Sequence, residues 1–94
     1  MDFASFMASL SGAEPPAQAR PLLRALWLDK QGDFDGAHAI AQDVEDADGA
    51  LVHAYLHRKE GDLPNARYWY GRARVTPAEQ SLDAEWEALV RRLL

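Results

Sequence analysis

The chain has no cysteine among its 94 residues, which excludes disulfides, thiolate nucleophiles and zinc sites with cysteine ligands. Basic residues are also few, with ten Lys and Arg against fifteen Asp and Glu and a formal net charge of −5. This acidic balance argues against nonspecific binding to nucleic acid or to an anionic membrane. No apolar run approaches the roughly 18 residues that a membrane-spanning helix needs, so we expect no membrane partner.

Targeting and catalytic motifs are missing as well. The chain has no Lys or Arg before Arg20 and only a patchy apolar start, whereas a secretory signal has a basic start and a continuous apolar stretch. It contains no nucleophile elbow, phosphate loop or dinucleotide fingerprint. We therefore expect a cytoplasmic protein that is not an enzyme and needs no cofactor.

Helical signals dominate what remains. Strand patterns are rare, and apolar residues recur mostly three and four positions apart, as on one face of a helix. The length suits one domain over residues 1–94. The sequence predicts an all-α fold with an N-terminal helix and linker over 1–16, two antiparallel helical hairpins over 21–45 and 49–75, and a C-terminal capping helix over 77–93.

Several helix ends have a local signature. Pro21 suits the first turn of a helix, where its missing N–H would have no partner. Asp48 is the last residue of the acidic segment 45–48 and the predicted N-cap of the fourth helix. Thr76 and Glu79 have the spacing of a capping box, with Pro77 at the first helical position, and this predicts the start of the last helix.

A short internal repeat organises the middle of the chain. The pattern A-x6-G-D-x3-A occurs from Ala25 to Ala37 and again from Ala54 to Ala66, at a spacing of 29 residues. Glycine ends one helix and the following aspartate caps the next, which predicts a tight turn. The alanines allow the two helices of each hairpin to lie close together, so the pattern predicts the same helical hairpin twice.

This pattern resembles the middle of the tetratricopeptide repeat. Tyr70 and Ala73 match later aromatic and small positions of that repeat, and Pro77 lies near its closing proline. The resemblance covers about 50 residues and implies a noncatalytic module that binds a protein or peptide. The run YLHRKEGDLPNARYWY is also similar to a group of small uncharacterised bacterial proteins with HAYLHRKEGD…NARYWY segments, which implies a shared fold without indicating an activity.

Five residues form the predicted binding surface. The resemblance places Tyr55, Arg58 and Lys59 on the concave side, where the repeat family receives peptides, and the two bases can meet a peptide carboxylate. Helical geometry directs Tyr68 and Arg72 outward from the fifth helix. Two basic residues on an exposed helix are also common without a ligand, so simple solvation remains the alternative.

The histidines are the candidate metal ligands. His53 and His57 are four residues apart and therefore share one helix face, and His38 lies on the preceding helix. Three histidines between two helices can hold zinc or another divalent ion, with Glu60 or Asp62 as a distant extra ligand. In the structural alternative, these side chains are partly buried and bond to tyrosine, aspartate or backbone.

Two further segments have a biased composition. Arg67–Arg74 mixes bases with aromatics, a composition that packing with solvation, protein contact or, least favoured, nucleic-acid stacking can explain. Within it, glycine at position 71 lowers helix stability by about 1 kcal/mol relative to alanine. Gly71 either allows another helix to approach closely or is simply tolerated. Residues 29–48 are acidic and 58–74 basic, and these opposite charges can pair within the fold or across a homodimer.

Overall fold

The computed structural model describes residues 1–94 and contains six helices and no strand. The helices are α1 (Phe3–Ser9), α2 (Pro21–Lys30), α3 (Phe34–Gln42), α4 (Ala47–Lys59), α5 (Leu63–Arg72) and α6 (Leu82–Leu93). Helix α2 packs against α3, and α4 packs against α5, which gives the two expected hairpins. The all-α prediction is confirmed. None of the six helices combines the length and apolar character needed to cross a bilayer.

Both glycine–aspartate pairs form the corners of the hairpins. Gly32 and Gly61 have φ angles of 89° and 87°, a left-handed conformation that costs glycine little. At the first corner the N–H of Gly32 bonds to the Asp29 carbonyl and that of Asp33 to the Leu28 carbonyl. These bonds form a Schellman motif, which satisfies carbonyl groups that a helix end leaves free.

Each aspartate then caps the next helix. The side chain of Asp33 accepts a hydrogen bond from the N–H of Gly36, and that of Asp62 accepts one from the N–H of Asn65. The second corner repeats the Schellman bonds of the first, from Gly61 to Arg58 and from Asp62 to His57. Two adjacent residues therefore end one helix and start the next, as predicted.

Helix α4 lies at the centre of the core. Every residue from Gly49 to His57 is buried, and α4 contacts α2, α3, α5 and α6. The repeat alanines at its interfaces, Ala25, Ala37, Ala54 and Ala66, are at most 2% exposed. Their small side chains let the neighbouring helices approach α4 closely. Each larger side chain packed between them, such as Leu56, contributes about 1.5–3 kcal/mol through burial.

The two terminal helices pack against each other beside α2. Phe6 of α1 is fully buried and its ring packs against Trp86 of α6, with ring centroids 6.1 Å apart. The indole N–H of Trp86 donates to the Leu26 carbonyl at 3.0 Å, and that of Trp27 donates to the Ser9 carbonyl at 3.4 Å. Hydrogen bonds and aromatic packing thus connect α1, α2 and α6.

The last helix starts later than predicted. It begins at Leu82 with Ser81 as its N-cap, so the capping-box prediction for Thr76 to Glu79 is wrong. Arg74 has a φ angle of 61°, which ends α5 and turns the chain away from a helical path. Residues 76–80 then run without helical structure, and the Arg58 guanidinium donates to the Gln80 carbonyl at the end of this stretch.

The fourth helix starts earlier than predicted, and its cap is Asp46. The Asp46 carboxylate accepts a hydrogen bond from the N–H of Gly49 at 2.8 Å. Asp48, the predicted cap, lies in the first turn and pairs with Arg92 of α6 at 2.8 Å. Both aspartates have the residue type of a cap, and the turn that follows α3 selects the first of them.

Candidate functional site

Three imidazoles converge between the two hairpins. His53 and His57 lie one turn apart on α4, and His38 lies on the facing side of α3. One ring nitrogen from each histidine lies within 4.8 Å of the other two. The Nε2 atoms of His38 and His53 are 3.0 Å apart. The structure therefore brings together all three residues that the sequence suggested as metal ligands.

Neighbouring side chains pack around the histidines and partly shield them from solvent. His53 and His57 are 5% and 7% exposed, and His38 is half-buried. The Trp69 indole stacks on the His53 ring with centroids 4.0 Å apart. Phe34, one turn earlier on α3, stacks on His38 with centroids 5.9 Å apart. We call His38, His53 and His57 the histidine cluster.

His53 is neutral at physiological pH. Burial lowers its pKa to about 4, and the neighbouring His38 and His57 add to the effect, because a second positive charge beside them is unfavourable. A neutral imidazole has a nitrogen lone pair, which is what a metal ion binds. His53 can therefore serve as a ligand without first losing a proton.

Glu60 orients one member of the cluster. Its Oε1 lies 2.6 Å from Nδ1 of His57, one turn further along α4. A carboxylate that accepts the Nδ1–H leaves the lone pair on Nε2, an arrangement common behind metal-bound histidines. Glu60 is thus better placed to orient His57 than to act as the distant ligand suggested by the sequence.

Asp62, the other distant ligand considered, has a different role. One carboxylate oxygen of Asp62 lies within 4.8 Å of the corresponding atoms of His57 and Glu60. The same carboxylate caps α5 by accepting from the N–H of Asn65. Its position at the start of α5 is therefore explained by helix capping.

The separation of His38 and His53 suits a small metal ion. Zinc binds histidine nitrogen at about 2.0–2.1 Å in a tetrahedral arrangement, which places neighbouring ligand nitrogens about 3.3 Å apart. The 3.0 Å between His38 and His53 is close to that value. Three protein ligands leave one position for water or another small ligand. His38 and His53 hydrogen-bond to each other and His57 to Glu60, whereas the structural alternative expected bonds to tyrosine, aspartate or backbone.

The predicted binding surface does not form as one surface. Tyr55 is only 3% exposed, and its hydroxyl donates to the buried Asp29 carboxylate at 2.6 Å. Its assignment to an exposed concave side is therefore wrong. Burial raises the Tyr55 pKa, and the Asp29 carboxylate raises it further, so this hydroxyl keeps its proton. The position of Tyr55 in the repeat pattern does not show that α2 and α6 cover it.

Arg58 and Lys59 are held in ion pairs between helices. Arg58 pairs with the buried Glu85 of α6 at 2.8 Å, and Lys59 pairs with Asp29 of α2 at 2.8 Å. Tyr70 also donates to Glu85, at 2.5 Å. Both buried carboxylates thus have a tyrosine and a base as partners. The Lys59–Asp29 pair joins the basic and acidic stretches, as the sequence suggested, whereas the partner of Arg58 lies outside the acidic stretch. Ion pairs within the fold account for both bases without a peptide ligand.

Tyr68 and Arg72 are the two predicted surface residues that remain accessible. Tyr68 is 54% exposed, and its hydroxyl accepts a hydrogen bond from Arg72 at 2.9 Å. Both lie on α5, and Arg72 forms no ion pair with any acidic group. They are separate from Arg58 and Lys59, which face α6 and α2.

A cavity of about 430 Å³ adjoins the histidine cluster. It lies between α4, α5 and the segment that connects α3 to α4, and its walls include Glu45, Asp46, His53, Trp69 and Arg72. The sequence identified the acidic stretch 29–48 and the basic stretch 58–74 only as opposite charges that can pair. Sequence reasoning missed the cavity because only the packing of the two hairpins brings these segments together.

No family model, curated protein or solved structure matches the chain. The resemblance to the tetratricopeptide repeat therefore stays a prediction. The geometry of the histidine cluster and the adjoining cavity is the basis for the function proposed below.

Proposed function

We propose that the protein binds a divalent transition-metal ion through His38, His53 and His57. The observation that carries this proposal is the convergence of three imidazoles, with ring nitrogens within 4.8 Å of one another, between two helices of different hairpins. The chain has only three histidines, and all three belong to this cluster. Imidazole ligands favour zinc, copper and nickel over magnesium and calcium, which prefer oxygen.

Two features beyond distance support the metal site. Burial keeps His53 unprotonated well below neutral pH, so protons compete weakly with a metal ion at this ligand. Glu60 fixes the orientation of His57 through Nδ1. The proposed role is noncatalytic binding, in which the ion joins α3 of the first hairpin to α4 of the second.

Calorimetric titration of the purified protein with Zn²⁺ and Ni²⁺, together with metal analysis, tests the proposal. We expect one ion per chain in the wild type and loss of this binding in His38→Gln, which changes a half-buried ligand on α3. Glu60→Gln is expected to weaken binding by about 10–100-fold, the usual effect of removing the partner of a metal-bound histidine. Glu79→Gln, an exposed glutamate away from the cluster, is the matched control.

Unchanged affinity in a folded His38→Gln variant would rule out the site. Equal effects of Glu60→Gln and Glu79→Gln would contradict the orienting role of Glu60 while leaving the ligand set intact. The two results are therefore separable in one series of titrations.

A second candidate function is contact with a protein or peptide through α5. The exposed Tyr68 and the unpaired Arg72 support it, because tyrosine and arginine are enriched at the centres of protein interfaces. This smaller surface replaces the five-residue surface predicted from the repeat. A homodimer is one form that such a contact can take.

Light scattering over a range of protein concentrations tests the dimer. The dimer of a Tyr68→Ala/Arg72→Ala double variant should dissociate at a higher protein concentration than the dimer of Arg67→Ala. The Arg67→Ala control changes another exposed arginine of α5. A wild-type protein that stays monomeric throughout would exclude self-association.

We also propose the cytoplasm as the compartment, which the absence of cysteine supports, and cell fractionation tests this.

A further inference from the structure

Two opposite charges line the cavity beside the histidine cluster without pairing. Arg72 projects from α5, and Glu45 belongs to the segment between α3 and α4. Arg72 donates to the neutral hydroxyl of Tyr68, and Glu45 has no side-chain hydrogen bond or ion pair. Their charged atoms therefore lie more than 4.0 Å apart. Asp46, the neighbouring acid, is already occupied as the cap of α4.

One part of the cavity wall is apolar. The Trp69 indole forms part of one wall, with the Arg72 guanidinium 5.6 Å from its ring centroid. Ala41, Val44 and Ala50 contribute small apolar surfaces. The volume of about 430 Å³ falls within the usual range of small-molecule sites.

We propose that this cavity binds a zwitterionic α-amino acid with an apolar or aromatic side chain. Arg72 binds the carboxylate, Glu45 binds the ammonium group, and the side chain lies along Trp69. A guanidinium recognises a carboxylate with charge-assisted hydrogen bonds, and a carboxylate recognises an ammonium group in the same way. This site goes beyond the metal centre, since its polar contacts come from Arg72 and Glu45.

Three probes of nearly the same size separate the two charges. L-phenylalanine has both, 3-phenylpropionate has only the carboxylate, and 2-phenylethylamine has only the ammonium group. We would titrate each into ¹⁵N-labelled, metal-free protein in the presence of EDTA and follow the amide resonances and the indole N–H of Trp69. Phenylalanine should bind about tenfold more tightly than either of the other probes, with the largest shifts at Trp69 and Ala50.

Single substitutions assign each charge. Arg72→Gln should remove the advantage of phenylalanine over 2-phenylethylamine, and Glu45→Gln should remove its advantage over 3-phenylpropionate. Arg67→Gln and Asp43→Asn change exposed charges of the same segments that do not line the cavity, so both should leave all three affinities unchanged.

Equal affinities for the three probes, or no saturable binding at millimolar concentrations, would overturn the proposal. So would a control variant that weakens phenylalanine as much as Arg72→Gln does. Because the titrations contain no metal ion, their failure would leave the proposed metal centre standing, and the failure of metal binding would leave the amino-acid site standing.

Discussion

At the scale of single residues, the histidine cluster places three imidazoles together in a space that favours the neutral form of His53. His38 faces His53 from α3, His57 lies beside it on α4, and the uncharged Trp69 covers it from α5. Glu60 contacts only His57 within the cluster. Protonation of His53 therefore brings a positive charge into a buried site without a carboxylate partner of its own.

This arrangement predicts a loss of stability in mild acid. In the unfolded chain His53 takes up a proton near its ordinary pKa of 6.5, whereas the folded protein resists protonation until about pH 4. The unfolded state therefore binds more protons between these values, and the free energy of unfolding should fall by roughly 2–3 kcal/mol as the pH drops through this window.

Urea denaturation of the metal-free protein between pH 4 and pH 8 measures this loss. His53→Gln removes the titrating group, so its stability should depend less steeply on pH below 6.5. Parallel pH profiles for the wild type and His53→Gln would show that His53 is not the cause.

The tyrosines of α5 give a second prediction at this scale. Tyr70→Phe removes a hydroxyl that donates to the 4%-exposed Glu85, and should lower the free energy of unfolding by about 1–2 kcal/mol. Tyr68→Phe removes the same group from a largely exposed ring and should change stability by less than about 0.5 kcal/mol. Chemical denaturation of both variants makes the comparison, and equal losses would contradict the role of the buried hydrogen bond.

At the scale of helices, two glycines have opposite surroundings. A Cβ atom at Gly71 would meet no other atom within 4 Å, whereas one at Gly49 would overlap the Val44 carbonyl. Gly71→Ala should therefore stabilise the protein by about 0.5–1 kcal/mol through helix propensity. Gly49→Ala should destabilise it by about 2–3 kcal/mol, since the turn before α4 must move.

Thermal denaturation of the two alanine variants tests this pair. A fall in the melting temperature of Gly71→Ala would show that α5 needs the glycine for a reason other than space. An unchanged melting temperature for Gly49→Ala would show that the segment before α4 adjusts freely. The sequence alone left Gly71 open between close approach and tolerance, and its open surroundings support tolerance.

The accuracy of the sequence predictions at this scale depended on the range of the interactions. The corners at Gly32 and Gly61 were predictable because a glycine stop and an aspartate cap act within a few residues. The start of α6 was not, because the left-handed Arg74 and a contact from Arg58 to Gln80 determine where the chain becomes helical again. Local capping patterns compete, and packing between helices selects among them.

The same distinction applies to the candidate site. His53 and His57 were expected on one face of α4 from their spacing. His38 was expected nearby because the preceding helix should pack against α4. Tyr55 bonds to Asp29 of α2 and Arg58 pairs with Glu85 of α6, and both partners are distant in sequence. Likewise, Glu45 and Arg72 meet at one cavity only after both hairpins have packed.

At the scale of the whole molecule, the proposed metal ion joins the two hairpins. His38 belongs to the first hairpin and the other two ligands to the second. A ligand that binds only the folded state at 100 times its Kd stabilises it by about 2.7 kcal/mol. For a domain of this size, Zn²⁺ should therefore raise the melting temperature by about 10 °C or more.

Calorimetry or fluorescence during heating, with and without Zn²⁺, checks this expectation. His38→Gln should lose the shift, because the remaining two histidines lie on the same helix and no longer bridge the hairpins. An equal shift in His38→Gln would place the bound ion elsewhere, and no shift in the wild type would contradict coupling between metal binding and folding.

The central position of α4 has a consequence for how the molecule opens. Its residues from Gly49 to His57 are shielded on every side, so their amide hydrogens should exchange with deuterium only in the rarest, most complete openings. Helix α3 has exposed residues along its length and should open more readily. We therefore expect two of the three imidazoles to stay in a slowly exchanging framework, while openings of α3 move the third away from them and limit the rate at which the cluster assembles.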